Sequence, residues 1–220
     1  MSFPSKLSIG SLLIYPSRTK QEFSKKVRSA LWSGVKQAEG EFIETIVGVL
    51  TDPLPDPLGK LLGNAGALVP VPKHSRHLPG SLWVPERIAE AMRSNGIGES
   101  VVPLLERREP VPRSTGVRSA SQRPTPTRHR DSLGVITDLF PPAKVMLIDD
   151  FITNGSTLFG CAARLRQVNP KIQIQAFALC RVETWRELNN LGEVLDPKIE
   201  TFEYDVGGIG RGEPKCDFGI

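Results

Sequence analysis

Val145-Met-Leu-Ile-Asp-Asp-Phe-Ile-Thr-Asn-Gly-Ser-Thr157 is the stretch from which the fold is read. Its four leading apolar residues, Val145 to Ile148, suit a strand covered on both faces. Asp149 and Asp150 end that run, and Thr153 to Thr157 turn the chain through a single glycine. From Leu158 the apolar positions change to helical spacing, at Ala162, Leu165 and Val168. Pro170 stops the helix, and Ile172 to Leu179 reads as a second buried strand. Asn-Gly also favours hairpins, but a hairpin needs alternating residues after Gly155, and these repeat with a helical period. Strand, glycine turn, helix and strand make a βαβ unit. It predicts an α/β fold seeded as a parallel, doubly wound sheet.

Further upstream, the signals are shorter. Ser11 to Tyr15 predicts a short strand stopped by Pro16. Phe23, Val27, Ala30, Leu31 and Val35 recur at three- and four-residue steps, which predicts a helix over 20–36. Phe42 to Leu50 fits helix or buried strand equally. Asp52-Pro-Leu-Pro-Asp-Pro-Leu-Gly59 reads as a proline-punctuated loop. Ala67 to Val71 predicts a strand, although Pro70 is awkward in a central one. Pro85 opens a helix over 86–93 that Asn95-Gly96 closes, and Ser100 to Leu105 predicts another strand. Thr127 to Leu133 reads as a short helix capped by Thr127, with Leu133 packing inward.

Composition narrows the class of protein. Of 220 residues, 39% are hydrophobic and 24% charged, a balance that supports a packed core and argues against disorder. No apolar run approaches the ~20 residues that cross a bilayer, and the first residues lack a secretory pattern, so the expected compartment is the cytoplasm. Cys161, Cys180 and Cys216 are far apart, with no C-x-x-C pair, and are expected as reduced, buried apolar groups rather than zinc ligands. The net charge of +4 is unevenly spread: seven arginines and one acid, Glu109, fall between Arg107 and Arg130.

The chemistry concentrates where the strand beginning at Val145 ends. Open α/β sheets bind ligands at the carboxyl ends of their strands. A helix starting after Gly155 offers free amides and partial positive charge to a phosphate, with hydroxyls from Thr153, Ser156 and Thr157 beside them. Ionised Asp149 and Asp150 accept but do not donate, which suits sugar hydroxyls or magnesium-bound water. A Walker A loop is excluded, since no Gly-Lys-Ser/Thr follows a spaced glycine.

The thirteen residues from Val145 to Thr157 resemble the signature of type I phosphoribosyltransferases, which bind 5-phosphoribosyl-1-pyrophosphate (PRPP). Two positions depart: Phe151 stands where a small aliphatic is usual, and Asn154 where Ser, Thr, Ala or Arg is usual. The resemblance implies the type I phosphoribosyltransferase fold, a twisted, mostly parallel sheet of about five strands flanked by helices, with a hood built from the termini. It also implies that Asp149 and Asp150 form the catalytic pair, holding the ribose hydroxyls and Mg²⁺, directly or through water. Thr153, Asn154, Gly155, Ser156 and Thr157 would cradle the 5-phosphate. Leu68-Val-Pro-Val-Pro-Lys-His74 is similar to the pyrophosphate loop of the ComF-like branch, which would set Lys73 and Arg76 against the pyrophosphate. The sequence carries no cysteine ribbon of the kind often found at the N-terminus in that branch, so the branch's role in DNA uptake does not transfer.

In this reading residues 1–60 form an N-terminal hood segment, 61–200 the core and 201–220 a tail. Residues 107–128 stand where the family carries a mobile loop that closes over its substrate, with Arg113 and Arg118 as pyrophosphate contacts. The implied reaction transfers 5-phosphoribosyl from Mg²⁺-bound PRPP to a nucleobase-like nitrogen with release of pyrophosphate. Two other readings stay open: a regulator that senses PRPP or a nucleotide without turnover, and an interaction protein whose arginines hold nucleic acid or a partner. The arginine stretch lacks the aromatic residues that usually accompany single-strand binding. Expected partners are PRPP and a small-molecule acceptor, then a homodimer, then nucleic acid, and no membrane.

Overall fold

Strands that are apolar on both sides need helices over both faces of their sheet, and this chain is layered accordingly. The computed structural model describes residues 3–37, 40–112, 124–136, 142–204 and 215–216. In order the elements are β1 (Lys6–Ser17), α1 (Glu22–Lys36), α2 (Gly40–Gly48), α3 (Asp56–Gly63), β2 (Ala67–Pro70), α4 (Val84–Ser94), β3 (Ser100–Val101), β4 (Leu105–Arg107), α5 (Pro126–Asp131), β5 (Leu133–Val135), β6 (Lys144–Ile152), α6 (Ser156–Val168), β7 (Gln173–Thr184), β8 (Leu195–Glu203) and β9 (Lys215–Cys216). The main sheet runs β3-β2-β6-β7-β1-β8-β9. The first five of these are mutually parallel, while β8 and β9 are antiparallel additions at one side.

One face of the sheet packs on α1 to α4 through Val27, Leu31, Ile43, Val47, Leu58, Leu61, Ile88 and Met92. The other packs on α6 and on the small antiparallel pair β4-β5, through Leu158, Phe159, Ala162, Leu165, Leu105 and Leu133. Among the described residues no helix is long and apolar enough to cross a membrane.

Several expectations need correction. The N-terminal segment does not stand apart as a hood, because β1 lies inside the sheet between β7 and β8 and shares both cores. That strand is also longer than its apolar run: Pro16 continues it beside Glu183, and buried Ser11 takes a hydrogen bond from Arg181 at 2.8 Å. Phe42 to Leu50 resolves as helix followed by a short 3-10 turn. The proline loop contains α3, with Pro57 in its first turn, where the missing N–H costs nothing. Pro70 is tolerated in β2 because β3 pairs only with Ala67 and Leu68, leaving its flank free there. Ser100 to Leu105 is split between β3 and β4. Thr125, not Thr127, caps α5, accepting from the Arg128 amide at 3.2 Å.

Candidate functional site

The sheet order itself selects a place. From β2 the chain crosses through α4 to β3 on one side; from the neighbouring β6 it crosses through α6 to β7 on the other. Strands β2 and β6 are adjacent and parallel, so their following loops diverge from one crevice, the position at which open α/β sheets bind ligands. Residues 71–77 leave β2 on that edge, and residues 153–157 leave β6.

After β6 the turn is made possible by Gly155, whose φ of 71° lies in the left-handed region. A Cβ there would meet Ile9 and Phe202 at 3.5 Å, ordinary contact, so the requirement is conformational rather than steric. Gly155 then opens α6 without any side-chain cap. The Asn154 side chain accepts from the Ser156 amide at 3.3 Å, and the Phe159 amide bonds back to the Gly155 carbonyl at 2.9 Å. The amides of Gly155, Thr157 and Leu158 meet no protein acceptor among the described residues. Together with Asp149, Phe151 and Pro124 the turn encloses a cavity of about 50 Å³. Open amides, hydroxyls and a helix N-terminus facing one small cavity make an oxyanion cradle.

The two acids part company. Asp149 lines that cavity, and its Oδ1 accepts the Asp150 amide at 2.9 Å. Burial, and secondly the adjacent Asp150 carboxylate, raise its pKa above the usual carboxylate range. Asp150 does not line the cavity. Its Oδ1 accepts the Phe151 amide at 2.8 Å and its Oδ2 is held by the ammonium of Lys36 on α1. Of the catalytic pair expected from sequence, only Asp149 is brought together with Thr153 to Thr157.

Across the crevice, Lys73 and Arg76 line a second cavity of about 500 Å³ with Trp83, Leu105, Arg107 and Arg108. Lys73 donates to Ser81 Oγ at 3.0 Å, and Arg76 to the Arg108 carbonyl at 2.7 Å. Burial pulls the Lys73 ammonium below its ordinary pKa. Arg113 and Arg118 lie outside the described residues.

Arg107 was hidden in the arginine stretch and is the opposite of a loop cation. It is 4% exposed, donating to the Lys73 carbonyl at 2.9 Å and to Ser132 Oγ at 2.5 Å. No carboxylate pairs with it within salt-bridge distance among the described residues, and burial lowers its pKa against the smaller opposing effects of Cys161 and Asp149. A buried guanidinium without a counter-anion is costly unless an anion arrives. His129 is also buried, on α5, with Nε2 3.4 Å from Thr157 Oγ1 and Nδ1 unpartnered. It fits there because Gly160 has no side chain: a Cβ would stand 2.5 Å from that of His129. Nothing in the sequence distinguished Arg107 from its neighbours. Lys36 left one signal, a tryptophan one turn earlier on the same helix face.

The acid pair does not fit a two-carboxylate metal centre, since both Asp150 oxygens are engaged. Among the described residues no group of three or more His, Cys, Asp or Glu side chains could hold a metal ion. Asp149 alone fits a magnesium that arrives on a substrate's phosphates and keeps its waters. No protein-family model matches this chain, and no curated protein matches its sequence.

Proposed function

We propose that the protein is a type I phosphoribosyltransferase: it binds PRPP across the β2-β6 crevice and transfers the 5-phosphoribosyl group to a nitrogen nucleophile. The observation that carries this reading is the uncapped turn at Gly155, with the amides of Gly155, Thr157 and Leu158 open to one small cavity beside Asp149. The 5-phosphate belongs in this cradle. Asp149, its pKa raised by burial and secondly by Asp150, faces the ribose hydroxyls from the same cavity. Pyrophosphate belongs across the crevice, against Lys73, Arg76 and the unpaired Arg107.

The C1–O bond to pyrophosphate breaks as the nitrogen–C1 bond forms, and positive charge develops on the sugar. Holding both ends of the substrate and neutralising the departing oxyanion therefore matter more than a strong base. Magnesium bound to the pyrophosphate supplies further charge neutralisation.

Pyrophosphate release from PRPP, measured over a panel of nucleobases and simple amines, tests the proposal. Release with at least one acceptor, abolished in Thr157→Val/Asp149→Asn, is expected. PRPP binding without release from any acceptor would assign a sensor instead, and absence of PRPP binding would end the proposal.

A further inference from the structure

The cavity on the β2 side of the crevice offers more than a pyrophosphate can use. Its volume is about 500 Å³, within the range of about 300–1,000 Å³ typical of small-molecule sites, whereas the cradle at Gly155 encloses about 50 Å³. Much of its wall is apolar: Pro72, Trp83, Pro103, Leu105 and Ile136. The Trp83 indole N–H donates to the Val71 carbonyl at 2.8 Å, which fixes that ring in the wall. The exposed His77 ring lies against it, with centroids 5.1 Å apart, and lines the same cavity. The cations gather beside these rings. Lys73, Arg76 and Arg107 spend their donors on a hydroxyl and on backbone carbonyls, and none pairs with a carboxylate among the described residues. Arg107 does so at only 4% exposure, where a guanidinium gains most from an arriving anion. Pyrophosphate would answer the cations, but it has no apolar surface to set against the wall, which would stay wetted.

We propose that this cavity binds a nucleoside diphosphate, with its phosphates against Lys73, Arg76 and Arg107 and its base against His77 and the apolar wall, in competition with the pyrophosphate end of PRPP. The inference rests on the phosphoribosyltransferase reading, to which it adds a regulator: transfer slows when the nucleotide is abundant. A diphosphate carrying a flat ring satisfies both halves of the cavity at once. The guanidinium forks grip its phosphate oxygens two at a time, and the base stacks on an aromatic face while covering apolar side chains. The two cavities share no lining residue, so a sugar phosphate in the cradle and a nucleotide here are bound together. That separates this ligand from a nucleoside monophosphate product, whose 5-phosphate belongs in the cradle.

Calorimetry on the full chain, with Mg²⁺ present throughout, compares pyrophosphate with ADP, GDP, CDP and UDP, each with and without saturating ribose 5-phosphate. At least one nucleotide is expected to bind about tenfold or more tightly than pyrophosphate and to be displaced by it. Its affinity should stay within about threefold when ribose 5-phosphate fills the cradle. His77→Ala and Ile136→Gln, checked for folding by thermal melting, alter the wall and leave the cations. In at least one of them nucleotide affinity should fall about fivefold or more while pyrophosphate affinity stays within about twofold. Lys73→Met should weaken both ligands. No nucleotide tighter than pyrophosphate, a nucleotide displaced by ribose 5-phosphate, or wall variants that leave nucleotide binding unchanged or weaken pyrophosphate equally would overturn the assignment. If neither wall variant folds, the wild-type competition decides alone. Failure of both pyrophosphate and ribose 5-phosphate to bind the wild type would instead refute the phosphoribosyltransferase reading on which the inference stands.

Discussion

Acidification should weaken this protein through one buried ring. His129 is 3% exposed, wedged against Gly160, and its Nδ1 has no partner. Burial first, and the nearby Arg107 charge second, push its pKa down to about 4 from 6.5. In the unfolded chain the same ring takes up its proton near 6.5, so the contribution to stability is intact above that pH. Below it the unfolded state binds a proton that the folded state refuses, and stability falls by about 1.4 kcal/mol per pH unit, about 3 kcal/mol by pH 4. Asp149 works the other way. Its raised pKa lets the folded protein hold a proton that the unfolded chain releases, which adds stability as the pH falls toward the ordinary carboxylate range. The readout is therefore a difference: urea denaturation of wild type and His129→Gln at several values between about pH 7 and 4.5, where Asp149 contributes equally to both. Wild type should lose about 2–3 kcal/mol more than the variant over that span. Parallel curves, or a steeper loss in the variant, would refute the argument from burial.

Three further outcomes follow from the same geometry. Gly155→Ala should cost about 1–2 kcal/mol, seen as a Tm lower by several degrees, because a side chain is forced to the left-handed φ while its Cβ meets only ordinary contacts. Arg107→Met should destabilise by about 2–4 kcal/mol in denaturant titration, since it removes the donors to the Lys73 carbonyl and to Ser132 Oγ from a buried site. A smaller loss would mean that the buried guanidinium is itself a burden on the fold. Cys161 and Cys180 should resist thiol reagents in the native protein and label only on unfolding, as mass spectrometry would show. Both are fully buried, and burial pushes Cys161 up to about 12 and Cys180 higher still.

What could be read from the sequence was what a single physical requirement dictates. A strand buried on both faces must be apolar throughout, so Val145 to Ile148 announced β6, and the change of period after Gly155 announced α6. β1 was only half visible because Ser8, Gly10 and Ser11 interrupt its apolar run. Gly10 leaves room for α3, since a Cβ there would lie 2.7 Å from a terminal methyl of each of Leu58 and Leu61. Ser11 is needed by Arg181. α3 hid behind three prolines that read as a loop until one of them proved to occupy a first turn. In the site, the phosphate turn was legible because its constraint is local. The capture of Asp150 by Lys36 was not, because it joins positions 114 residues apart and a helical lysine looks the same in sequence whether solvated or paired.

The position of β1 constrains the order in which the molecule can be made. β1 has no neighbour in its sheet until β7 and β8 are synthesised, and Ser11 waits for a partner 170 residues downstream. At ~5–20 residues per second that delay is about 10–30 s, during which an apolar segment ending in Leu12-Leu13-Ile14 has no sheet to join. Closure of the sheet is therefore a late event with high contact order, and the waiting β1 segment is exposed to aggregation or chaperone capture until then.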